Sequence, residues 1–365
     1  MTSHSGHSKR PTAAGLVLAA GKGTRMKSAL PKVLHPVAGR PMLAWVVSAL
    51  SAAGAAPACV VLSEHHDSFA PFLAAHPEVR IAVQKNCLGT GDAVAAAAFA
   101  FAGATPAPYA AGALVHGAPI ACDVVLIAAG DVPAVRGDEL AAFLHAFHAS
   151  GAAVGVLGMR MPQPKGYGRL VTDGGLLEAI VEERDADERI RRIDVCNSGV
   201  IAAKSRVLFP LLHALTQENA QREYYLTDIV RHARVRGLDL MVYTTDAWRD
   251  FAGVNNRAQL AEVEAWLIAR ERQALMAGGA TLHLPETIYV EADVVVGADS
   301  EIGAGARLYA GTRLGAGVRV GPGVTVAGAT VGDRAVLGAG SVIEKDCVIP
   351  AGSHVPPLSV RTALG

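Results

Sequence analysis

Two cations seven residues apart, Arg25 and Lys32, follow a short glycine loop, Gly21-Lys22-Gly23-Thr24, and this combination suits a polyphosphate. Glycines let the backbone come close to a phosphate and turn its N–H groups toward it. The Arg25 guanidinium can fork onto phosphate oxygens, while Lys32 can act as a point charge. Neither of the two common phosphate loops is present. A Walker A lysine is followed by Ser or Thr, and here Lys22 is followed by Gly23. A dinucleotide fingerprint needs a third glycine where Met26 stands. On these residues alone a plain glycine turn stays open, and the two cations at this spacing argue against it. A second candidate is Asp131, which follows Ala129-Gly130 at the end of the apolar run Val124–Ala128. A carboxylate at a strand's carboxyl end beside a phosphate loop suits a Mg²⁺ ligand, and the same residue type also caps turns.

Gly-x-Gly-Thr-Arg-Met at Gly21–Met26, followed by Pro-Lys-Val-Leu-His at Pro31–His35, resembles the sugar-1-phosphate nucleotidyltransferases. Within them it is similar to the bacterial bifunctional enzyme that makes UDP-N-acetylglucosamine. That enzyme joins an N-terminal uridyltransferase to a C-terminal left-handed β-helix acetyltransferase. Relatives with a Leu-x-Pro-Leu-Thr continuation match less well, because Met26-Lys27-Ser28 stands here. The resemblance runs from Leu16 to Arg257, about two-thirds of the chain.

The resemblance implies a set of roles. Leu18, Ala19, Ala20, Gly21, Gly23, Thr24 and Gly130 would bind the nucleotide. Arg25 would hold the β- and γ-phosphates, and Lys32 would stabilise the α-phosphate in the transition state. Gln84, Gly89 and Thr90 would contact the uracil ring; an amide with backbone groups can read a pyrimidine edge that has donors and acceptors. Asp131 and Asn255, the latter in Gly253-Val254-Asn255-Asn256-Arg257, would ligate Mg²⁺. Gly168, in Gly166-Tyr167-Gly168-Arg169, would contact the sugar through its backbone, and Glu182 and Asn197 would bind its hydroxyls and amide. Without the resemblance, Glu182 reads as one member of the charged run Glu182–Arg192, and Gln84 as a loop residue. Ser198 stands where the family more often has Thr. Tyr224 and Thr227, in Ala220–Asp228, would support the sugar site.

These residues need a scaffold. Short apolar runs at Leu16–Ala20, Cys59–Leu62, Val124–Ala128, Val154–Leu157 and Asp239–Tyr243 read as strands. Helical segments at Pro41–Ala53, Asp92–Phe101, Gly137–Ala149 and Thr227–Arg236 alternate with them. Such alternation predicts an α/β sandwich on a mostly parallel sheet, Rossmann-like, with ligands at the strands' carboxyl ends. Ala102–Ala121, rich in Ala, Gly and Pro, falls where a short turn is expected and looks like an insertion relative to the family. It reads as a mobile surface loop without an assigned role.

Asn256–Ala277 carries Leu260, Val263, Leu267 and Leu275 at helical spacing and ends at Gly278-Gly279, so it reads as a connector helix. After Pro285, Val290, Val296, Ile302, Leu308, Leu314, Val320 and Val326 recur every six residues. After one five-residue step the period resumes at Val331, Leu337, Ile343, Ile349 and Val355. This is a hexapeptide repeat, which predicts a left-handed parallel β-helix of about four coils. The expected domains are a flexible tail over 1–12, a nucleotidyltransferase domain over 13–255, a linker helix over 256–279 and the β-helix over 280–365. Proteins that resemble this trimerise through the β-helix. The family's acetyltransferase motifs, His-Leu-Thr-Tyr-Leu-Gly-Asp and Asn-Tyr-Asp-Gly, do not occur. His354 is the one histidine after Pro285, and the repeat is about half the family's length. No acetyltransferase activity is expected.

A formal net charge of zero gives no electrostatic case for nucleic acid or an anionic membrane. The five cysteines are scattered without a Cys-x-x-Cys pair, so reduced structural thiols are expected. The apolar stretches are short and interrupted, and residues 1–12 carry no signal-like segment, which predicts a soluble cytoplasmic protein. The expected partners are UTP and a sugar-1-phosphate. A different sugar-1-phosphate and a non-catalytic binding subunit stay open.

Overall fold

The computed structural model describes residues 12–21, 23–64, 66–105, 107–110 and 114–363. Most of the expected N-terminal tail, together with Lys22 of the glycine loop, lies outside the described residues. The chain divides into two compact units, Met1–His35 with Met42–Asn256, and Pro36–Pro41 with Arg257–Gly365.

The first unit is built on a mixed sheet, with ten strands among the described residues. Its main elements are β1 (Ala13–Leu18), α1 (Met42–Ala52), β2 (Ala55–Ser63), β3 (Arg80–Gln84), α2 (Thr90–Ala96), β4 (Leu114–His116), β5 (Val124–Ala129), α3 (Gly137–Ser150), β6 (Val154–Arg160), β7 (Arg169–Asp173), β8 (Leu176–Val181), β9 (Val195–Lys204), α4 (Ser205–Leu212), α5 (Asp228–Val235) and β10 (Leu240–Thr245), with shorter helices at Ala70–Ala75 and Glu188–Arg191. The spatial order is β8-β7-β9-β5-β1-β2-β3-β4, and β6 pairs with β9 and β10. The centre is parallel: β1 pairs with β2 and β5, and β2 with β3. β9 is antiparallel to β5, β6 and β7.

Strands at this centre are apolar on both faces because both are covered. Side chains alternate across a strand, so Leu16 and Ile127 face one way while Val17 and Leu126 face the other. The first face buries Val94 of α2, Leu208 of α4 and Ile229 of α5. The second buries Leu43, Val46 and Leu50 of α1 with Phe143 and Phe147 of α3. The expected α/β sandwich is thus present. β1 starts earlier than its apolar run suggests and stops at Leu18, leaving Ala19 and Ala20 in the loop. Ala is indifferent to strand conformation, and the ladder with β5 ends where Leu18 faces Ala129.

The expectation of a mobile loop over Ala102–Ala121 is not met by its described residues. They form a 3₁₀ turn, Pro108–Ala110, and the edge strand β4, antiparallel to β3. Ala107, Ala110 and Ile120 are buried. Residues 106 and 111–113 lie outside the described residues.

In the second unit, α6 (Arg257–Ala277) packs through Val263 and Leu267, and its Leu275 meets the β-helix core. The helix belongs with this unit instead of standing apart as a connector. Short strands then stack into three parallel ladders, one each through Ile302, Leu308 and Leu314, the arrangement of a left-handed β-helix. Every aliphatic position of the six-residue period is buried except Val296, which is half-buried. The glycines beside them leave room for the next coil: a Cβ on Gly303 would lie 2.6 Å from the nitrogen of Pro322, and one on Gly321 2.7 Å from that of Ala339. Among the described residues, no helix is long and apolar enough to cross a membrane.

Candidate active site

The parallel strands β5, β1 and β3, with β2 between the last two, end at one edge of the sheet, and the chain at the end of each forms part of one cavity of about 580 Å³. From the β1 loop come Leu18, Ala19, Ala20, Gly21, Gly23, Thr24, Arg25 and Lys32. The stretch after β3 supplies Gln84, Gly89 and Thr90, and the end of β5 supplies Asp131. Asn255 lines it too, as do Val33, Cys87, Ala93, Ala129 and Glu223.

The cationic end is held by close packing. Thr24–Met26 and Lys32–Leu34 are single 3₁₀ turns, anchored by the buried Met26, Val33 and Leu34. Gly23 is left-handed (φ 57°), and a Cβ there would lie 2.6 Å from Cβ of Lys32, so the loop rests on the lysine stem. Lys32 Nζ donates to an Asp131 carboxylate oxygen, and also to Asn255 Oδ1 at 3.2 Å. Arg25 Nη2 donates to the same Asn255 oxygen at 2.8 Å. The backbone fixes both oxygen-bearing residues: Val254 N–H donates to the Asp131 carbonyl at 2.9 Å, and Gly130 N–H to that of Leu18 at 2.9 Å. Gly130 contributes through this bond and does not itself line the cavity.

The donor set can be tested against a divalent cation. Two hard oxygens, a carboxylate and an amide carbonyl, converge on one ammonium nitrogen. No group of three or more His, Cys, Asp or Glu suited to a metal occurs among the described residues. Two protein oxygens with phosphate and water filling the shell suit Mg²⁺, which gives up its waters reluctantly.

At the other end, buried Asp92 accepts from Gln84 Nε2 at 2.7 Å and from the Leu88 N–H at 3.0 Å. Gln84 Nε2 also donates to the Gly89 carbonyl at 3.1 Å. Gly91 N–H donates to the Tyr224 carbonyl and Tyr224 N–H to that of Leu88, each at 2.7 Å. Gly89 adopts φ +118°, and a Cβ there would lie 2.6 Å from the Tyr224 oxygen. Gly89→Ala is therefore expected to cost about 1–3 kcal/mol from backbone strain. The expected results are a melting temperature lower by roughly 3–8 °C and a nucleotide KM raised on the order of tenfold. Differential scanning calorimetry with nucleotide titration checks both, and wild-type values for the two would show that the turn tolerates a side chain.

Gly168, Glu182 and Asn197 lie together outside the residues lining that cavity. Asn197 N–H donates to the Gly168 carbonyl at 2.8 Å, and a Cβ on Gly168 would stand 3.3 Å from Glu182 Oε2. Burial lifts the Glu182 carboxyl above its ordinary range, opposed by a hydrogen bond from Thr227 Oγ1 at 3.2 Å. Beneath this loop Arg169 is 1% exposed and pairs with Glu183 at 2.8 Å. Thr227 thus supports Glu182, while Tyr224 braces the Leu88–Gly91 turn through its backbone. Sequence reasoning missed Glu223 and Asp92. Glu223 was findable as the neighbour of Tyr224; Asp92 looks like any first-turn helix residue until its partners are seen.

Paired cations on a glycine loop at the strand ends of an α/β sandwich define a phosphate-handling transferase, here followed by a hexapeptide β-helix. Known proteins narrow the class. Residues 15–277 match the MobA-like NTP transferase domain, and residues 293–328 and 311–345 match the bacterial transferase hexapeptide (six repeats). The bifunctional protein GlmU of Rhodospirillum rubrum is 45% identical over 281 residues, covering 77% of this chain and 58% of the relative. That of Pelobacter propionicus is 39% identical over 348 residues, covering 95% and 72%. The chain belongs to the GlmU family of nucleotidyltransferases. It spans 58% of the length of the Rhodospirillum and Bradyrhizobium relatives. A Bacillus anthracis crystal structure described as a glucose-1-phosphate thymidylyltransferase shares the fold, with a TM-score of 0.54 at 17% identity over 70% of this chain and 95% of that one.

Proposed function

We propose that the protein forms UDP-N-acetylglucosamine and pyrophosphate from UTP and N-acetylglucosamine-1-phosphate. The observation that carries this reading is the convergence of Arg25, Lys32, Asp131 and Asn255 at one end of a cavity whose other end is the Gln84–Thr90 turn. A sugar-phosphate oxygen attacks the α-phosphorus of UTP, and the bond to the β-phosphate oxygen breaks to release pyrophosphate. The nucleophile is already anionic, so no general base is needed. The protein's task is to align two polyanions and offset the charge that develops. Arg25 and the Gly21–Thr24 stretch hold the β- and γ-phosphates, and Lys32 faces the α-phosphate. Gln84, Gly89 and Thr90 receive the uracil, while Gly168, Glu182 and Asn197 receive the sugar. Asp131 and Asn255 hold Mg²⁺, which when bound screens the charge of the reacting phosphates.

These 365 residues do not transfer acetyl groups: the one histidine after Pro285, His354, is exposed on the outward side of a β-helix strand. The β-helix serves assembly, which the hexapeptide repeats support, and the assembly is a trimer of a cytoplasmic enzyme.

Pyrophosphate release with Mg²⁺ and UTP tests the reading. Turnover with N-acetylglucosamine-1-phosphate at least about tenfold above that with glucose-1-phosphate is expected, a discrimination of the size that one lost group contributes. Release with glucose-1-phosphate alone, or with neither sugar, overturns it. Thiol release from acetyl-CoA with glucosamine-1-phosphate is expected to stay at background.

A further inference from the structure

The segment Ala102–Ala121, through its described residues, contacts by three routes the elements that carry the nucleoside end of the cavity. Its strand β4 pairs with β3, the strand that ends in Gln84, with Val83 facing Leu114 and Ala82 facing Val115. Its Pro108–Ala110 turn packs against α2, the helix that begins at Thr90. Between them Tyr109 stacks on Tyr224, ring centroids 3.8 Å apart and planes 11° from parallel. The Tyr109 hydroxyl donates to the Leu212 carbonyl at 2.7 Å, which fixes the ring at both ends. Burial pushes its phenol well above the ordinary range, so it stays a neutral donor.

Tyr224 is the residue whose backbone clamps the Leu88–Gly91 turn from outside, with two 2.7 Å hydrogen bonds. Leu226, two residues on, donates its N–H to Thr90 Oγ1 at 3.0 Å. A displacement of the Tyr224 ring therefore moves the carbonyl and N–H against which Gly89 and Gly91 are packed.

We infer that the described residues of Ala102–Ala121 set the shape of the nucleoside pocket, with Tyr109 as a positioning residue for uracil recognition acting through Tyr224. This rests on the reading that Gln84, Gly89 and Thr90 face the base. Tyr109 itself does not touch the nucleotide. Its stack holds the turn at the spacing a pyrimidine needs.

The test compares Tyr109→Ala, Tyr109→Leu and Tyr109→Phe in steady-state assays and in UTP binding by calorimetry without sugar phosphate. Losing one aromatic stack is expected to raise the UTP KM and Kd about 5–10-fold in Tyr109→Ala, and similarly in Tyr109→Leu, which keeps the apolar bulk. The KM for the sugar phosphate stays within about twofold, and preference for UTP over CTP narrows, because only the base end is disturbed. Tyr109→Phe keeps the stack and returns the UTP KM to within about twofold of wild type. A folded Tyr109→Leu with unchanged UTP affinity overturns the inference, as does a rise in both KM values together. If Tyr109→Phe is as impaired as Tyr109→Ala, the stack is not the device. A wild-type protein that neither binds nor turns over UTP fails the functional reading itself, before any variant is compared.

Discussion

Lys32→Ala is expected to lower kcat about 10²–10³-fold, the usual effect of removing one charge-directed group at a reacting phosphate. The reason is position. The ammonium is 13% exposed, sits between the Asp131 carboxylate and the Asn255 amide oxygen, and is held there by a stem against which Gly23 is packed. Such a group costs no reorganisation when charge develops on the α-phosphate, which is why its loss falls on turnover. Stability changes less: the Asp131 partner is 21% exposed, so water re-solvates its carboxylate, and the loss is about 1–2 kcal/mol. Lys32→Arg is not a rescue. A planar guanidinium is broader than an ammonium, and it must enter a slot bounded by Gly23, Asp131 and Asn255. Single-turnover rates beside thermal melting separate the two effects. A kcat within twofold of wild type in a folded Lys32→Ala protein would exclude the assigned role. Arg25→Ala is expected to act in the same direction, since its guanidinium shares the Asn255 oxygen.

Much of this site was legible because its chemistry is contiguous. Gly21 to Lys32 is a single stretch following one apolar strand, and its residue types and spacing point toward a phosphate loop over a plain glycine turn before any tertiary contact is known. The β-helix was legible for a different reason: a six-residue period cannot be kept over a dozen repeats unless each aliphatic enters the same core. Other parts were hidden by physics that a sequence does not display. β7 and β8 mix exposed and buried positions and were not anticipated as strands, because they form an antiparallel hairpin without a continuous apolar run. Asp92 is buried by its bonds to Gln84 and Leu88, and those partners come from a turn whose geometry is set by Tyr224. The Ala102–Ala121 segment misled through composition. Ala, Gly and Pro suggest a loop, yet the small side chains let Ala107 and Ala110 become buried, and one tyrosine carries the specific contact.

Asp131→Asn is the sharper test of the cation site. The substitution keeps the size of the side chain and an oxygen that can accept from Lys32 Nζ, while removing the one formal negative charge among the two proposed ligands. An amide in place of a carboxylate leaves two neutral oxygens beside an ammonium, a poor setting for a divalent cation. The expected results are an apparent Mg²⁺ midpoint raised on the order of tenfold or more and a kcat lowered about 10²–10³-fold, since a bound cation accounts for several kcal/mol at a phosphoryl centre. Asn255→Ala removes a neutral donor and should shift the midpoint less. The order of the two variants matters more than either value. If both carboxylate and amide serve the cation, Asp131→Asn must exceed Asn255→Ala in the metal titration. If Asp131 serves only to orient Lys32, the metal midpoint stays put while kcat falls. Mn²⁺ binding followed by electron paramagnetic resonance, in the absence of either substrate, reads the site independently of turnover. An unchanged Mn²⁺ affinity in Asp131→Asn would remove the carboxylate from the ligand set and leave it as the residue that holds the lysine.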